Sequence, residues 1–310
     1  MDIVRRRLRS HCIVGEKLDR PGDVVRRLGA MQAQDYNQAV WAVGLRTAEP
    51  ALAGVERAIA DRTIVATWPM RGTIHYVPAQ DAAWMLRLMA PRSTAASRSI
   101  LDRLELHEET FEVCGRLFSA ALRGDNRLTW AEMMRVLNQA GIDSVGQRGS
   151  HLLRRLAQQG VLCFGPKEGK QQTFVLLGEW VREPRELSRE AALAEFTRRY
   201  FIGHGPGTAH DFAKWSTLTP ADVRLGLTVN ESRLVPDDVD GMRYWSGRSE
   251  PPAATAEGLG VHLLPGFDEY LLGYKDREAI LDSAYAGRVV PGGNGVFRPM
   301  VICDGRVIGT

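Results

Sequence analysis

The chain has 310 residues, 44% of them hydrophobic and 25% charged, with a net charge of +3. This is globular composition, which excludes a disordered or fibrous chain, and the length suits two or three domains of roughly 100–200 residues each. No apolar run approaches the ~20 residues that span a bilayer, and the basic start MDIVRRRLRS has no apolar export core behind it, so a cytoplasmic protein with no membrane partner is expected.

In chain order, helices are expected near residues 2–9, 21–33 and 51–60, and TIVATWPMRGTIHYVP then gives two strands around Pro69 to Gly72. The middle of the chain is clearer. A helix runs from Glu108 to Arg123, with Phe111, Cys114, Leu117, Phe118, Ala121 and Leu122 at helical spacing. A second starts at Thr129 with Glu132 as its capping-box partner and stops at Gly141, and QRGSHLLRRLAQQG makes a third that closes at Gly160. Val161 to Phe164 and Thr173 to Leu177 then form a hairpin around a Gly/Pro/Lys turn.

The same order recurs downstream. Ser188 opens a helix, GTAHDFAKWSTL supplies the next, and Thr219 with Pro220 starts a third before a hairpin that turns at Asp240-Gly241. Three short helices followed by a hairpin make a winged helix, so the expected fold is α+β. Three tandem winged-helix units, 1–100, 101–183 and 184–250, precede a β-rich C-terminal region at 251–310. Winged helices commonly set the third helix in the major groove and the hairpin along the backbone, which points to double-stranded DNA as partner. The fold alone does not decide between binding and chemistry.

Charge distribution agrees with that partner. Residues 1–100 hold fifteen Lys and Arg against nine acids, so the basic surplus lies in the N-terminal third. Arg excess also follows from GC-rich coding, which carries no function. Cys12, Cys114, Cys163 and Cys303 are scattered, without a C-x-x-C pair or a His cluster at ligand spacing, and read as reduced core thiols.

No G-x-S-x-G elbow, P-loop, dinucleotide-binding glycine motif or H-E-x-x-H is present. GGNG at 292–295 reads as a turn, and HGPG at 204–207 as a helix terminator with His204 a surface or capping imidazole. His151 reads as a phosphate contact or a bystander. In TWPMRGTIHYVP, alternation puts Thr73 and His75 on one face with Arg71 at the turn before them, which suits either a nucleic-acid cleft or a half-buried hairpin. In LLPGFDEYLLGYKDR, polar groups crowd among Leu and Phe, either lining a pocket or forming a solvated turn. A desolvated carboxylate of the pair Asp268, Glu269 would orient water or stabilise a sugar cation. In AMQAQDYNQAVWAVGL, Gln32 and Gln34 stand two apart at the end of an expected helix. Side chains at i and i+2 diverge on a helix, so the two amides converge only where the chain leaves helical geometry.

Together, MQAQDY, MRGTIHYVP, HGPGTAHDFAKWSTL, LLPGFDEYLLGYKDR and GGNGVFRPMVICDGRVIGT resemble the AlkZ-type (AlkZ/YcaQ) winged-helix DNA glycosylases, in order from about residue 30 to the end. The resemblance implies a catalytic Gln-Φ-Gln motif, Φ being apolar, at Gln32, Ala33 and Gln34. A related branch has Asp at the third position, so Gln34 is similar to the AlkZ-like branch. It further implies excision of N7- or N3-alkylated purines, with some members unhooking interstrand crosslinks, in repair or in self-resistance to a genotoxin.

An amide is a poor base but offers both an acceptor and a donor. Gln34 is expected to hold the water and Gln32 its neighbour or the sugar, or the reverse, because an alkylated cationic purine leaves as a neutral base with little help. Arg71 and His75 are the expected cleft contacts. Arg148, Arg154 and Arg155 are the expected phosphate contacts, and Asp268, Tyr270 and Lys275 the expected cleft residues of the C-terminal region. A monomeric, monofunctional enzyme without metal or organic cofactor is expected; the alternative is a non-catalytic winged-helix transcriptional regulator. The chain ends inside an expected strand, GRVIGT, where such relatives continue, so either a truncated β-region or a divergent member is expected.

Overall fold

The computed structural model describes residues 2–248, 258–293 and 295–310. The boundary expected at 250/251 and Asn294 of the GGNG stretch lie outside the described residues. The chain divides into two compact units, one made of Met1–Val55 with Ser188–Thr310 and the other of Glu56–Leu187. No helix among the described residues is long and apolar enough to cross a membrane.

The Glu56–Leu187 unit is built on antiparallel strands. Ile64–Thr67 pairs with His75–Pro78 from Ile64 opposite Pro78 to Thr67 opposite His75. On its other side Ala66 faces Phe164, joining this hairpin to the one formed by Leu162–Phe164 and Thr173–Leu176, with Leu128–Thr129 at the far edge. The two expected hairpins therefore share one sheet, across the position at which a boundary was expected near residue 100.

Helices Glu108–Leu122, Trp130–Gln139 and Arg148–Gln158 cover this framework and follow the expected order. Thr129 and Glu132 make the reciprocal capping box, and Gly141 and Gly160 end their helices at positive φ. The spacing of apolar residues seats Phe111, Cys114, Phe118 and Leu122 in the core with Met133, Leu137, Leu152 and Leu156. The Ala82–Ala96 helix was not among the expected elements, and it carries Pro91 inside it.

In the other unit, Arg189–Gly203 packs against Pro21–Leu28 and Pro220–Val229. Ser188 and Thr219 cap their helices as expected, and Pro220 takes the first helical turn. Close approach requires glycine at 203, where a Cβ would stand 2.6 Å from the Arg27 carbonyl. The Leu234–Val239 and Met242–Gly247 hairpin turns at Asp240-Gly241, both at positive φ, as a two-residue loop demands.

The C-terminal region is less β-rich than expected. Strands Val261–Leu264, Met300–Cys303 and Arg306–Gly309 form one sheet, but residues between them carry the short helices Glu269–Leu272 and Ala286–Val289. The helices bury Tyr270, Leu271, Leu272 and Val289, and Leu8 and Ile13 from the N-terminal end join the same core.

An ion pair with both side chains fully buried ties this region to the N-terminal segment. Arg46 Nη1 and Nη2 donate to the two carboxylate oxygens of Asp268 at 2.9 and 2.7 Å. Burial opposes the charge on Arg46, and Asp268 beside it outweighs that and raises the guanidinium pKa. Removing one partner leaves a buried charge alone, so Asp268→Ala is expected to cost about 3–5 kcal/mol in urea unfolding. Arg46→Met combined with Asp268→Leu should cost clearly less than either single change.

Candidate active site

The Pro21–Leu28 helix stops five residues short of the expected end, at Gly29 with φ +80°. Glycine there accepts the left-handed conformation that terminates the helix, and the chain continues as the extended pair Met31–Gln32. Burial then alternates: Met31 is buried, Gln32 partly exposed, Ala33 buried and Gln34 exposed. Period-two alternation puts the two glutamines on one side of the chain and anchors the segment through the apolar residue between them.

The segment is fastened on both flanks. Gln32 N donates to Glu269 Oε1 at 2.8 Å. Downstream, Asp35 caps the Tyr36–Gly44 helix by accepting from Gln38 N, while Gln38 Oε1 accepts from Gly266 N at 2.6 Å. Glu269 is itself buried, and its Oε2 accepts from Trp215 Nε1 at 2.8 Å. His204 lies behind it, with Nε2 3.7 Å from Oε2, stacked on Tyr200 at 4.7 Å.

Of the expected cleft residues in this unit, Asp268 and Tyr270 are fully buried and occupied elsewhere. Asp268 serves Arg46 and caps the following turn through Tyr270 N, and Tyr270 Oη donates to the Gly305 carbonyl. Neither lines an open surface, because both satisfy buried partners that the one-dimensional pattern does not reveal. Lys275 has an exposed side chain, its backbone held by Asp211. Sequence reasoning noticed Glu269 as one of an acid pair, but gave no sign that its partner would be the backbone of Gln32. His204 does end its helix, yet it is buried rather than at the surface.

In the other unit, His75 is fully buried. Arg71 Nη2 lies 2.8 Å from His75 Nε2, and since a guanidinium can only donate, Nε2 accepts and Nδ1 donates to the Thr73 carbonyl at 2.9 Å. His75 therefore holds Arg71 in place and does not present its own ring, a correction to its expected contact role. His151 is buried as well.

Arg148 is committed to the Leu104 and Asp143 carbonyls, and Arg155 to Thr94 and Glu108. Arg154 differs in its charge balance. Its Nε, like that of Arg155, is buried without a hydrogen-bond partner, but burial alone acts on its pKa and lowers it, and its Nη1 stands 3.6 Å from where a Gly72 Cβ would be, beside the Arg71 turn.

The model of the AlkZ-like DNA glycosylase family matches residues 25–310. The chain belongs to the AlkZ-like DNA glycosylase family. It is 33% identical over 309 residues to an interstrand DNA cross-link repair glycosylase of Streptomyces sahachiroi, an alignment covering 93% of this chain and 80% of that protein. The solved structure of the Streptomyces sahachiroi DNA glycosylase AlkZ superposes with a TM-score of 0.84 at 29% identity, covering 100% of this chain and 86% of the other. Membership makes the chain a DNA glycosylase, an enzyme of N-glycosyl bonds whose partner is DNA.

This AlkZ-like chain keeps two neutral histidines behind the glutamine segment. Burial, reinforced by His204, Arg46, Arg7 and Arg27, pushes His11 well below its ordinary pKa; burial lowers His204 too, with Glu269 offsetting only part. Above a pH of about 6.5 both states are neutral at these rings and stability is complete. Below it the unfolded chain gains protons that the folded one refuses, so stability falls as pH drops toward the folded pKa values, by roughly 1 kcal/mol per pH unit for each ring. Urea unfolding between pH 7.5 and 5 should show this decline, and His11→Gln should make it shallower by the share of one ring.

Proposed function

We propose that the enzyme is a monofunctional, monomeric glycosylase that hydrolyses the N-glycosidic bond of N7- and N3-alkylated purines and unhooks interstrand crosslinks. Gln32 and Gln34 are its catalytic groups. The observation that carries this reading is the extended, doubly fastened segment that puts both carboxamides on one side of the chain, with Glu269 on the Gln32 amide. The name of the 33%-identical Streptomyces sahachiroi relative supports the crosslink as substrate.

The chemistry is modest by design. An N7-alkylated purine is already cationic and departs as a neutral base, so no strong acid is needed to protonate it. What remains is to bring a water to C1′ and to stabilise the cation developing on the sugar, for which fixed acceptor dipoles serve. In this reading Gln34, the more exposed, holds the water through its carbonyl oxygen, and Gln32 orients that water or the sugar from its side.

We further read the three helix–hairpin arrays as tandem winged-helix units, 1–100, 101–183 and 184–250, with 251–310 as the C-terminal region. Arg71 and Arg154 supply phosphate contacts, with Arg154 the stronger candidate because burial lowers its pKa with no carboxylate to offset it, so an anion is what its guanidinium is short of. Arg148 and Arg155 reach DNA only by giving up their intramolecular partners.

On a labelled duplex with one N7-methylguanine, the wild type should leave abasic sites that alkali converts to breaks. Gln32→Ala and Gln34→Ala should each lower the single-turnover rate by about a hundredfold or more with binding retained. Wild-type rates in both variants would move the centre elsewhere. Arg154→Ala should weaken damaged and undamaged duplex alike and reduce the slope of log affinity against log salt by about one; an unchanged slope would remove it from the interface.

A further inference from the structure

Among the described residues of the glutamine-bearing unit, Glu269 is a buried carboxylate that touches the catalytic segment directly. It is 1% exposed and meets two donors, Gln32 N at Oε1 and Trp215 Nε1 at Oε2, both at 2.8 Å. A backbone N–H and an indole N–H can only donate, so the site needs two acceptor atoms. A carboxylate has them, whereas the isosteric amide has one and would turn an N–H toward a donor. A buried charge is costly unless it is well hydrogen-bonded, so packing alone would have been served better by an apolar residue.

The geometry points to Glu269 as a positioning residue for glycosidic hydrolysis: by clasping the Gln32 amide it fixes the line along which Gln32 and Gln34 present their carboxamides. The inference rests on the reading of those glutamines as the catalytic centre. Gln34 is exposed and lies in the chain between the Glu269 clasp and the Gln38–Gly266 bond, which hold its backbone on both sides. Between the Met31–Gln32 strand and the Tyr36–Gly44 helix the chain is one coil residue and a two-residue bend. A displacement of ~1 Å in an orienting group can cost on the order of a hundredfold in rate. Trp215, itself stacked on Phe196, completes the device by occupying the second oxygen and so holding the carboxylate rotamer.

The experiment compares rates and affinities in a Trp215→Phe background, which removes the indole donor at Oε2 and keeps Gln32 N at Oε1. There Glu269→Gln still offers an oxygen to Gln32 and Glu269→Leu offers none. Single-turnover excision of N7-methylguanine should stay near the background rate with Glu269→Gln and fall about tenfold to a hundredfold with Glu269→Leu, while duplex affinity and cooperative melting are kept. Hydrogen exchange of the peptide spanning residues 31–34 should quicken only in the Leu variant. Equal rates for Gln and Leu at that position would overturn the proposal. Gln32→Ala and Gln34→Ala run alongside: if both excise normally, the reading of the glutamines fails, and if they are inactive while Gln and Leu at 269 match, only the role of Glu269 fails.

Discussion

Two consecutive buried carboxylates, Asp268 and Glu269, hold the glutamine-bearing unit together. Asp268 takes the guanidinium of Arg46, and Glu269 takes the amide of Gln32 and the indole of Trp215. Their partners lie more than two hundred residues upstream or on a separate helix, so one dipeptide joins the N-terminal segment, the Ala209–Ser216 helix and the C-terminal region. Adjacent burial of two negative charges is unfavourable in itself, and the arrangement persists because every oxygen has a donor. Remove that match and the glutamine segment loses the support that makes it a site.

On the proposed reading, this division of labour is what lets a centre made of amides work. Carboxamides neither gain nor lose a proton near neutral pH, so all they contribute is the direction of a dipole. Direction is worth little unless it is fixed before the reaction begins, which places the demand on the supporting shell. The buried carboxylate, the apolar Ala33 and the capped helix after Asp35 meet that demand. Such a site suits a leaving group that arrives already charged.

Much of the local structure was legible because it depends on neighbours in sequence. The Thr129–Glu132 capping box, the glycine stops at 141 and 160 and the Asp240-Gly241 hairpin all rest on a few adjacent side chains, and each forms as expected. Gln32 and Gln34 could be singled out, and so could the requirement that the chain leave the helix there. Gly29 carried the signal for where it leaves, but the apolar residues Ala30, Met31 and Ala33 continue the periodicity past it. What could not be read were partners at long range. Nothing in FDEYLL says which acid meets an arginine and which a backbone amide, and nothing in IHY says that His75 turns inward to hold Arg71.

The central claim is that amides suffice because the departing base is cationic. The most direct measurement is chromatographic detection of free base released from matched duplexes that carry, at one position, either N7-methylguanine or a neutral purine such as hypoxanthine. The account predicts release of 7-methylguanine in proportion to enzyme and none of the neutral base. Release of both at comparable rates would contradict it, since a neutral leaving group demands an acid that Gln32 and Gln34 cannot be.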